Sequence, residues 1–368
     1  MKTYKNLYNS IYAFDNLLLA AKNAQKGKRF QDNVATFNFN LEKEILQLQT
    51  ELQTQTYQPG NYTTFWITDP KKRMISAAPY RDRVVHHALC HVTAPLFEKT
   101  FIFDSYANRK GKGTHAAIER YQHFAKQYKY VLKSDIQKFF PSIDHDILKA
   151  AFRWKIQCPQ TLWLMDKILD NSNPQEEHIA YFGGDDLLTP SERRRGLPIG
   201  NLTSQWWGNI YLNRFDHFMT ETLKVGGYIR YVDDFVIFDN DKARLHDMKR
   251  QMTSFLSQLR LVPHPNKTHI HRVEDGVPFL GFRVTPQYRV IKKQNTKRYF
   301  RFISKKLEMR HLKQISPQDL ENGLNAWLGH VRFGQNKRVE NRVFRHIRAR
   351  GVNIFKSPTD SWRVLERV

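Results

Sequence analysis

The sequence predicts an α+β protein of two or three subdomains, and three observations carry that expectation. Apolar residues recur at helical spacing near both ends of the chain. Short β-branched and aromatic runs, broken by turn residues, lie between them. The length of 368 residues exceeds what one domain usually holds. Charge narrows the class of partner. With 59 Lys and Arg against 35 Asp and Glu, the formal charge is +24. Such an excess repels itself unless a polyanion neutralises it, so nucleic acid is the first expected partner and an anionic membrane surface the second. No apolar run approaches the length of a membrane span, no secretion signal is read at the N-terminus, and the two cysteines, Cys90 and Cys158, are expected to be reduced thiols in a cytoplasmic protein.

The elements follow in order. Residues 1–56 read as helical: Leu41, Ile45, Leu48 and Leu52 share one helical face, with Asn40 as N-cap and Glu42 and Glu44 at the positive end. "YQPGNY" ends that helix, and a mixed strand and helix region runs to about 130. "YKYVLKSDI" (128–136) is a strand, followed by a turn at Pro141 and a helix capped by Asp144 that carries Ile147, Leu148, Ala151 and Phe152. Residues 171–195, rich in Gly, Pro and charge, read as a long surface loop or short hairpin. A helix starts near 201. A second helix carries Leu245, Met248, Met252, Phe255, Leu256 and Leu259 on one face. "VPFLGFRV" (277–284) is a strand or hairpin. From 292 the chain is basic with Tyr299, Phe300 and Phe302 between cations, suited to gripping a nucleic-acid backbone. The last helix is expected to start at Ser316-Pro317.

The chemistry centres on "YIRYVDDFVIFDN" (228–240). Two carboxylates, Asp233 and Asp234, sit between two runs of strand formers, so a hairpin carries charge at its tip. Alternation along a strand aims neighbouring side chains apart, so the two need not share a role. Asp135 ends another strand. If the strands are neighbours, Asp135 and Asp233 converge, and paired aspartates suit two Mg²⁺ ions in phosphoryl transfer. Read alone, Asp233-Asp234 is also what a plain surface turn contains. In "HHALCH" (86–91), His87, Cys90 and His91 share a helical face, but no fourth ligand for zinc is evident.

Read together, these stretches resemble the motifs of reverse transcriptases. "YVDD" resembles motif C and "KSDIQKFFPSI" motif A; "RGLPIGNLTSQWWGNIYLN" (195–213) resembles motif B, "HPNKTHI" (264–270) motif D and "PFLGF" (278–282) motif E. "DPKKRMISAAPYRDRVVHHAL" (69–89) and "SYANRKGKGTHAAI" (105–118) resemble the fingers motifs. The resemblance is collinear over roughly residues 57–285. It implies a right-hand polymerase fold: an N-terminal helical extension (1–56), fingers and palm (57–285), the palm an antiparallel sheet backed by helices, and a basic helical thumb (286–368).

The resemblance also implies roles. Asp135, Asp233 and Asp234, with the carbonyl of Ile136, would hold two Mg²⁺ ions, Mn²⁺ being able to substitute. Lys71, Arg73, Lys138, Phe139, Phe140, Ile199 and Gly200 would bind the dNTP, Arg73 through a guanidinium fork suited to phosphate. Phe140 would be the steric gate against a 2′-OH, since only one of Phe139 and Phe140 can face the site. Lys267 would be a general acid. Phe279, Leu280 and Gly281 would form the primer grip. Template RNA, primer and cDNA are the implied partners. Motif B departs from the common Gln-Gly and Ser-Pro form: "IGNLTSQ" resembles the reverse transcriptases of diversity-generating retroelements. That subclass implies copying of a template-repeat RNA with errors at adenines, together with a small basic accessory variability protein that is itself oligomeric. Ile199, standing where a glutamine is usual, cannot hydrogen-bond and would relax fidelity; a plain core position is the other reading. A group II-like or antiphage-defence reverse transcriptase, or a non-catalytic RNA-binding protein on the same scaffold, are the alternatives.

Overall fold

The computed structural model describes residues 2–69, 71–176, 178–352, 354–356 and 362–364. Four helices open the chain: α1 (Tyr8–Tyr12), α2 (Phe14–Ala24), α3 (Asp32–Phe39) and α4 (Leu41–Gln53). Ile45, Leu48 and Leu52 of α4 are fully buried, as their spacing requires. Asn40 precedes α4 but its side chain makes no capping bond, which corrects the sequence reading; its backbone (φ −109°, ψ 31°) is outside the extended region from which a cap side chain reaches back.

An antiparallel hairpin of β1 (Thr63–Ile67) and β2 (Arg73–Ala77) follows, then α5 (Tyr80–Glu98) and α6 (Thr114–Ala125). Next come β3 (Tyr130–Asp135), α7 (Phe139–Ser142), α8 (His145–Arg153), α9 (Pro159–Asp170), the short α10 (Thr189–Glu192) inside the polar loop, and α11 (Leu202–His217). As expected, Asp144 caps α8, its Oδ1 accepting from the amides of Asp146 and Ile147 at 3.0 Å each. The chain continues through β4 (Gly227–Tyr231), β5 (Asp234–Asp239), α12 (Lys242–Gln258) and β6 (His269–Arg272). Four strands form one sheet in the order β4-β5-β3-β6. A second sheet, β7 (Val277–Phe279), β8 (Phe282–Val284) and β9 (Arg289–Ile291), is antiparallel throughout.

Helices α13 (Lys293–His311), α14 (Pro317–Phe333) and α15 (Lys337–Arg348) come next, then the antiparallel pair β10 (Ile354–Lys356) and β11 (Trp362–Val364). Ser316 and Asp319 form a reciprocal capping box at α14. The helix begun at Ser316-Pro317 is therefore not the last: α15 buries only Val343, Phe344 and Ile347 among many cations, too sparse an apolar signal to stand out.

The chain divides into two compact units. The first comprises Met1–Gly113, Leu132–Ile237 and Lys242–His269. In it α2 packs along α5, and α11 packs on α5 and α8. The second comprises Thr114–Val131, Phe238–Asp241 and Ile270–Val368. Its helical core joins Ile303, Leu307, Leu320, Leu324, Leu328, Val343 and Ile347. Tyr299 belongs to that core: it is buried and stacks on Trp327 at 3.6 Å. This removes it from the set of aromatics expected to face a nucleic acid and leaves Phe302, 45% exposed, as the open ring of the three. No helix among the described residues is long and apolar enough to cross a membrane.

Candidate active site

The sheet brings the expected carboxylates together. β5 lies beside β3, and the amide of Ile136 donates to the carbonyl of Asp233 at 3.1 Å. The end of β3 is held from its other side: His264 N donates to Asp135 O at 2.7 Å, and Gln137 N to Val262 O at 2.9 Å. Backbone bonds thus fix both the end of the strand that carries Asp135 and the turn that carries Asp233. Asp233 occupies the tight turn between β4 and β5, whereas Asp234 is the first residue of β5 and lies 3.5 Å from the Lys133 ammonium. The two neighbouring carboxylates thus stand on different elements, one in the turn and one on the strand.

The electrostatics follow from that placement. The Asp233 carboxyl is pushed up to about 6, first by burial, then by the charge of Asp135, with a further push from Asp234. Two ammonium groups enter the same acidic region: Lys267 Nζ donates to Asp135 Oδ1 at 2.7 Å, and Lys133 faces Asp234. Among the described residues no three His, Cys, Asp or Glu side chains converge into a ready-made cage. Oxygen donors in mutual repulsion are nevertheless the donor set a hard cation takes. Mg²⁺ commonly uses one or two protein carboxylates and completes its shell with water and substrate phosphates. The residues present fit Mg²⁺.

The turn itself is strained. Val232, a β-branched residue, has φ 59°. Arg230 holds it: Nη1 donates to the Val232 carbonyl at 3.0 Å. The rest of that guanidinium is saturated. It gives 2.7 and 2.6 Å bonds to Asp216, a 3.0 Å bond to Asn209 Oδ1 and a 3.2 Å bond to Ser105 Oγ. Sequence reasoning missed this buttress. The signal was a lone arginine inside the buried run "YIRYV", which needs a buried partner. It also missed Lys133, which stands two residues before Asp135 and so on the same strand face.

The remaining expected residues fall into separate groups. Arg73 starts β2, opposite Ile67, and Lys71 is exposed in the hairpin turn. The neighbouring Lys72 lies over the Trp66 ring, 4.6 Å from its centroid. This hairpin meets the motif B loop: Ser76 N donates to Ile199 O at 3.0 Å. Gly200, at φ +126°, approaches so closely that a Cβ would lie 3.2 Å from the Ser76 carbonyl oxygen. Ile199 is half-buried, not a core residue. Phe139 is buried beside Gly208 and Phe140 is half-buried, so the two rings do differ in exposure. Lys138 is left-handed (φ 45°) and 2.9 Å from Glu176.

In the second unit, Phe279 is buried on β7 and stacks with Tyr121 at 5.2 Å. Leu280 and Gly281 make the two-residue turn of the β7–β8 hairpin with positive φ at both, and the Gly281 carbonyl accepts from Lys292 N at 3.1 Å. In the histidine-rich stretch, His91 is held between Asn16 and Asn23, and Cys90 is buried.

The family described as "Reverse transcriptase (RNA-dependent DNA polymerase)" matches residues 68–284. Protein YkfC of Escherichia coli (strain K12) is 25% identical over 292 residues, covering 68% of this chain and 74% of that protein. The group II intron-encoded protein LtrA of Lactococcus lactis subsp. cremoris is 22% identical over 223 residues, covering 59% of this chain and 33% of LtrA. Among solved structures, apo telomerase from Candida tropicalis, truncated from its C-terminal domain, aligns with TM-score 0.46 at 14% identity. That alignment covers 63% of this chain and 55% of the telomerase chain. This chain therefore spans about a third of LtrA and about half of the telomerase structure.

Proposed function

From the premise that this chain belongs to the reverse transcriptase (RNA-dependent DNA polymerase) family, we propose that it synthesises cDNA on an RNA template with Asp135 and Asp233 as the paired metal-holding carboxylates. One observation carries the reading: Asp135 ends β3 beside the turn that holds Asp233, and burial, then the charge of Asp135, pushes the Asp233 carboxyl up to about 6, an excess of negative charge that a bound cation would relieve. When bound there, two Mg²⁺ ions would activate a primer 3′-hydroxyl and stabilise the leaving pyrophosphate. The protein's part is positioning. Backbone pairing holds Asp135 against Asp233, and Arg230 holds the turn. Lys267, bonded to Asp135, stands ready to donate a proton to pyrophosphate as its contact is exchanged for metal. Arg73 and Lys71 supply cations for the triphosphate, Lys138 lines its entry, and Phe140 excludes a 2′-OH, while Phe139, buried and so turned from the site, corrects the expectation that it binds the dNTP. The hairpin tip of Phe279, Leu280 and Gly281 supports the primer, and the basic helices after it serve as thumb.

The subclass we favour is the diversity-generating retroelement enzyme, working with a small basic accessory protein and making errors at template adenines. The string "IGNLTSQ" supports it, with Ile199 placing an apolar side chain where a polar check on base-pair geometry is usual. A sequenced primer-extension assay with Mg²⁺ and an RNA of balanced composition tests both levels. Metal-dependent cDNA that vanishes with Asp233→Asn, with errors concentrated opposite adenines and reduced by Ile199→Gln, is the expected result. Evenly scattered errors that Ile199→Gln leaves unchanged would retain the polymerase and move it to the group II-like or defence classes.

A further inference from the structure

A hollow lies in the first unit where α5 and α8 pack on α11, lined by residues that the candidate active site does not use. Its origin is in the sequence of α8. Leu148 and Phe152 are fully buried and anchor that helix to the core. Ile147, Ala150, Ala151 and Trp154 stand at i, i+3, i+4 and i+7, a second stripe beside the first. This stripe lines the hollow, and its alanines are too small to fill the space toward Ile210 and Asn213 of α11. Phe97 and Leu259 close the buried side, while Trp154, 53% exposed, stands at the mouth. The cavity measures about 490 Å³, a size that holds a small organic molecule.

Two polar groups break the apolar wall. Asn213 is 6% exposed, and its Nδ2 donates to Thr100 Oγ1 at 3.2 Å. The Thr100 hydroxyl gives its single hydrogen to the Phe97 carbonyl at 2.7 Å. Toward Asn213 it can therefore only accept, which fixes the orientation of the amide. Asn213 Oδ1 is left buried with no hydrogen-bond partner, and an acceptor in that position is costly. A lone water is a poor remedy, since it needs two or more polar partners. The Tyr211 hydroxyl on the same wall is already spent on the Leu259 carbonyl at 2.6 Å. The second group is Arg214, exposed at the rim and paired with no carboxylate among the described residues.

These features define a ligand. The rings of Phe97, Tyr211 and Trp154 suit a flat apolar body. Asn213 Oδ1 requires an N–H or O–H donor, and the Arg214 guanidinium suits a carboxylate or sulfonate. An ionised fatty acid has no hydrogen to give Asn213. A nucleoside triphosphate brings several negative charges to a rim where Arg214 is the cation. An aromatic acid with an N–H meets all three demands at once.

We propose that the hollow between α8 and α11 binds a small aromatic acid, its ring against Phe97 and Trp154, its N–H on Asn213 Oδ1 and its acid on Arg214. The site uses neither Asp135 nor Asp233, so it stands or falls apart from cDNA synthesis. The probe is anilinonaphthalene sulfonate, a dye that combines aromatic rings, an N–H and an acid. It is titrated into the full chain while dye fluorescence and the thermal melt are followed. Wild type should saturate at a single dye per chain and melt higher with dye bound. Asn213→Leu should weaken binding about tenfold, the cost of one buried hydrogen bond. Arg214→Met, at an exposed position, should weaken it about threefold. Ala151→Phe fills the hollow and should abolish saturable binding. Should that variant fail to fold, Arg214→Met still decides. Wild-type affinity in Asn213→Leu and Arg214→Met would overturn the site. So would dye uptake by the folded wild type that never saturates, the mark of general apolar surface.

Discussion

Two acidic clusters in the first unit differ in how completely they are neutralised. Asp216 is fully buried and meets a fully buried guanidinium through two bonds, with the Tyr228 hydroxyl adding a third at 2.8 Å. Every polar atom of that pair is used inside the fold. The cluster at the turn is the opposite. Asp233 has carboxylates for neighbours, and the two ammonium groups nearby attach to Asp135 and Asp234 instead. The first cluster holds structure; the second has an excess of negative charge that a bound cation relieves. The two are joined through Arg230, which links Asp216 to the carbonyl before Asp233. Closed charge thus supports open charge, and the difference separates a structural ion pair from a binding site better than counting acids does.

The contrast can be broken at several points. The largest effect is expected from Arg230→Met, which leaves Asp216 buried and unpaired; urea denaturation should show a loss of about 3–5 kcal/mol. A loss below about 1 kcal/mol would mean the pair is not the closed unit described. Asp233→Asn should act in the reverse direction on stability. It removes a repelling charge, so the metal-free protein should melt about 2–4 °C higher while synthesis falls by about 10³-fold. A lower melting temperature would remove the argument that this cluster is under-neutralised.

A third test concerns a buried base outside both clusters. His86 is lowered to about 3 by burial, then by His87 and Arg83. Its neutral form is the one the fold accepts, so the unfolded chain binds its proton first. That contribution to stability is intact above the ordinary value of 6.5 and is lost as pH falls from there toward about 3. His86→Gln should flatten the decline in melting temperature over that window; an unchanged pH profile would show the loss arises elsewhere. The smallest effect is expected from Lys267→Met. Freed of a competing ammonium, the carboxylates should half-saturate at about two- to fivefold lower Mg²⁺, read by Mn²⁺ binding in place of Mg²⁺. Weaker metal binding would show that Lys267 organises Asp135 rather than competing for it.

Much of this was legible beforehand where a local rule sufficed. The leucine face of α4, the Asp144 cap, the Ser316 start of α14 and the hairpin at Leu280-Gly281 are short-range consequences of periodicity, side-chain reach and positive φ. The misreadings came where a distant partner decided. Asn40 has the right side chain for a cap but a backbone set by packing between two helices. Tyr299 looked like one ring of a basic aromatic face until Trp327, 28 residues on, covered it.

By itself the sequence determined the strongly periodic helices, the family, the candidate carboxylates and the excess of positive charge, because each is written in residue type and spacing. Only the tertiary structure decided which charges are satisfied. Arg230 finds Asp216 across 14 residues and Ser105 across 125, while Arg83 is left with an unmet N–H beside Lys28. Pairing depends on which side chains meet within about 3 Å in a low-dielectric interior, and no spacing along the chain specifies that distance.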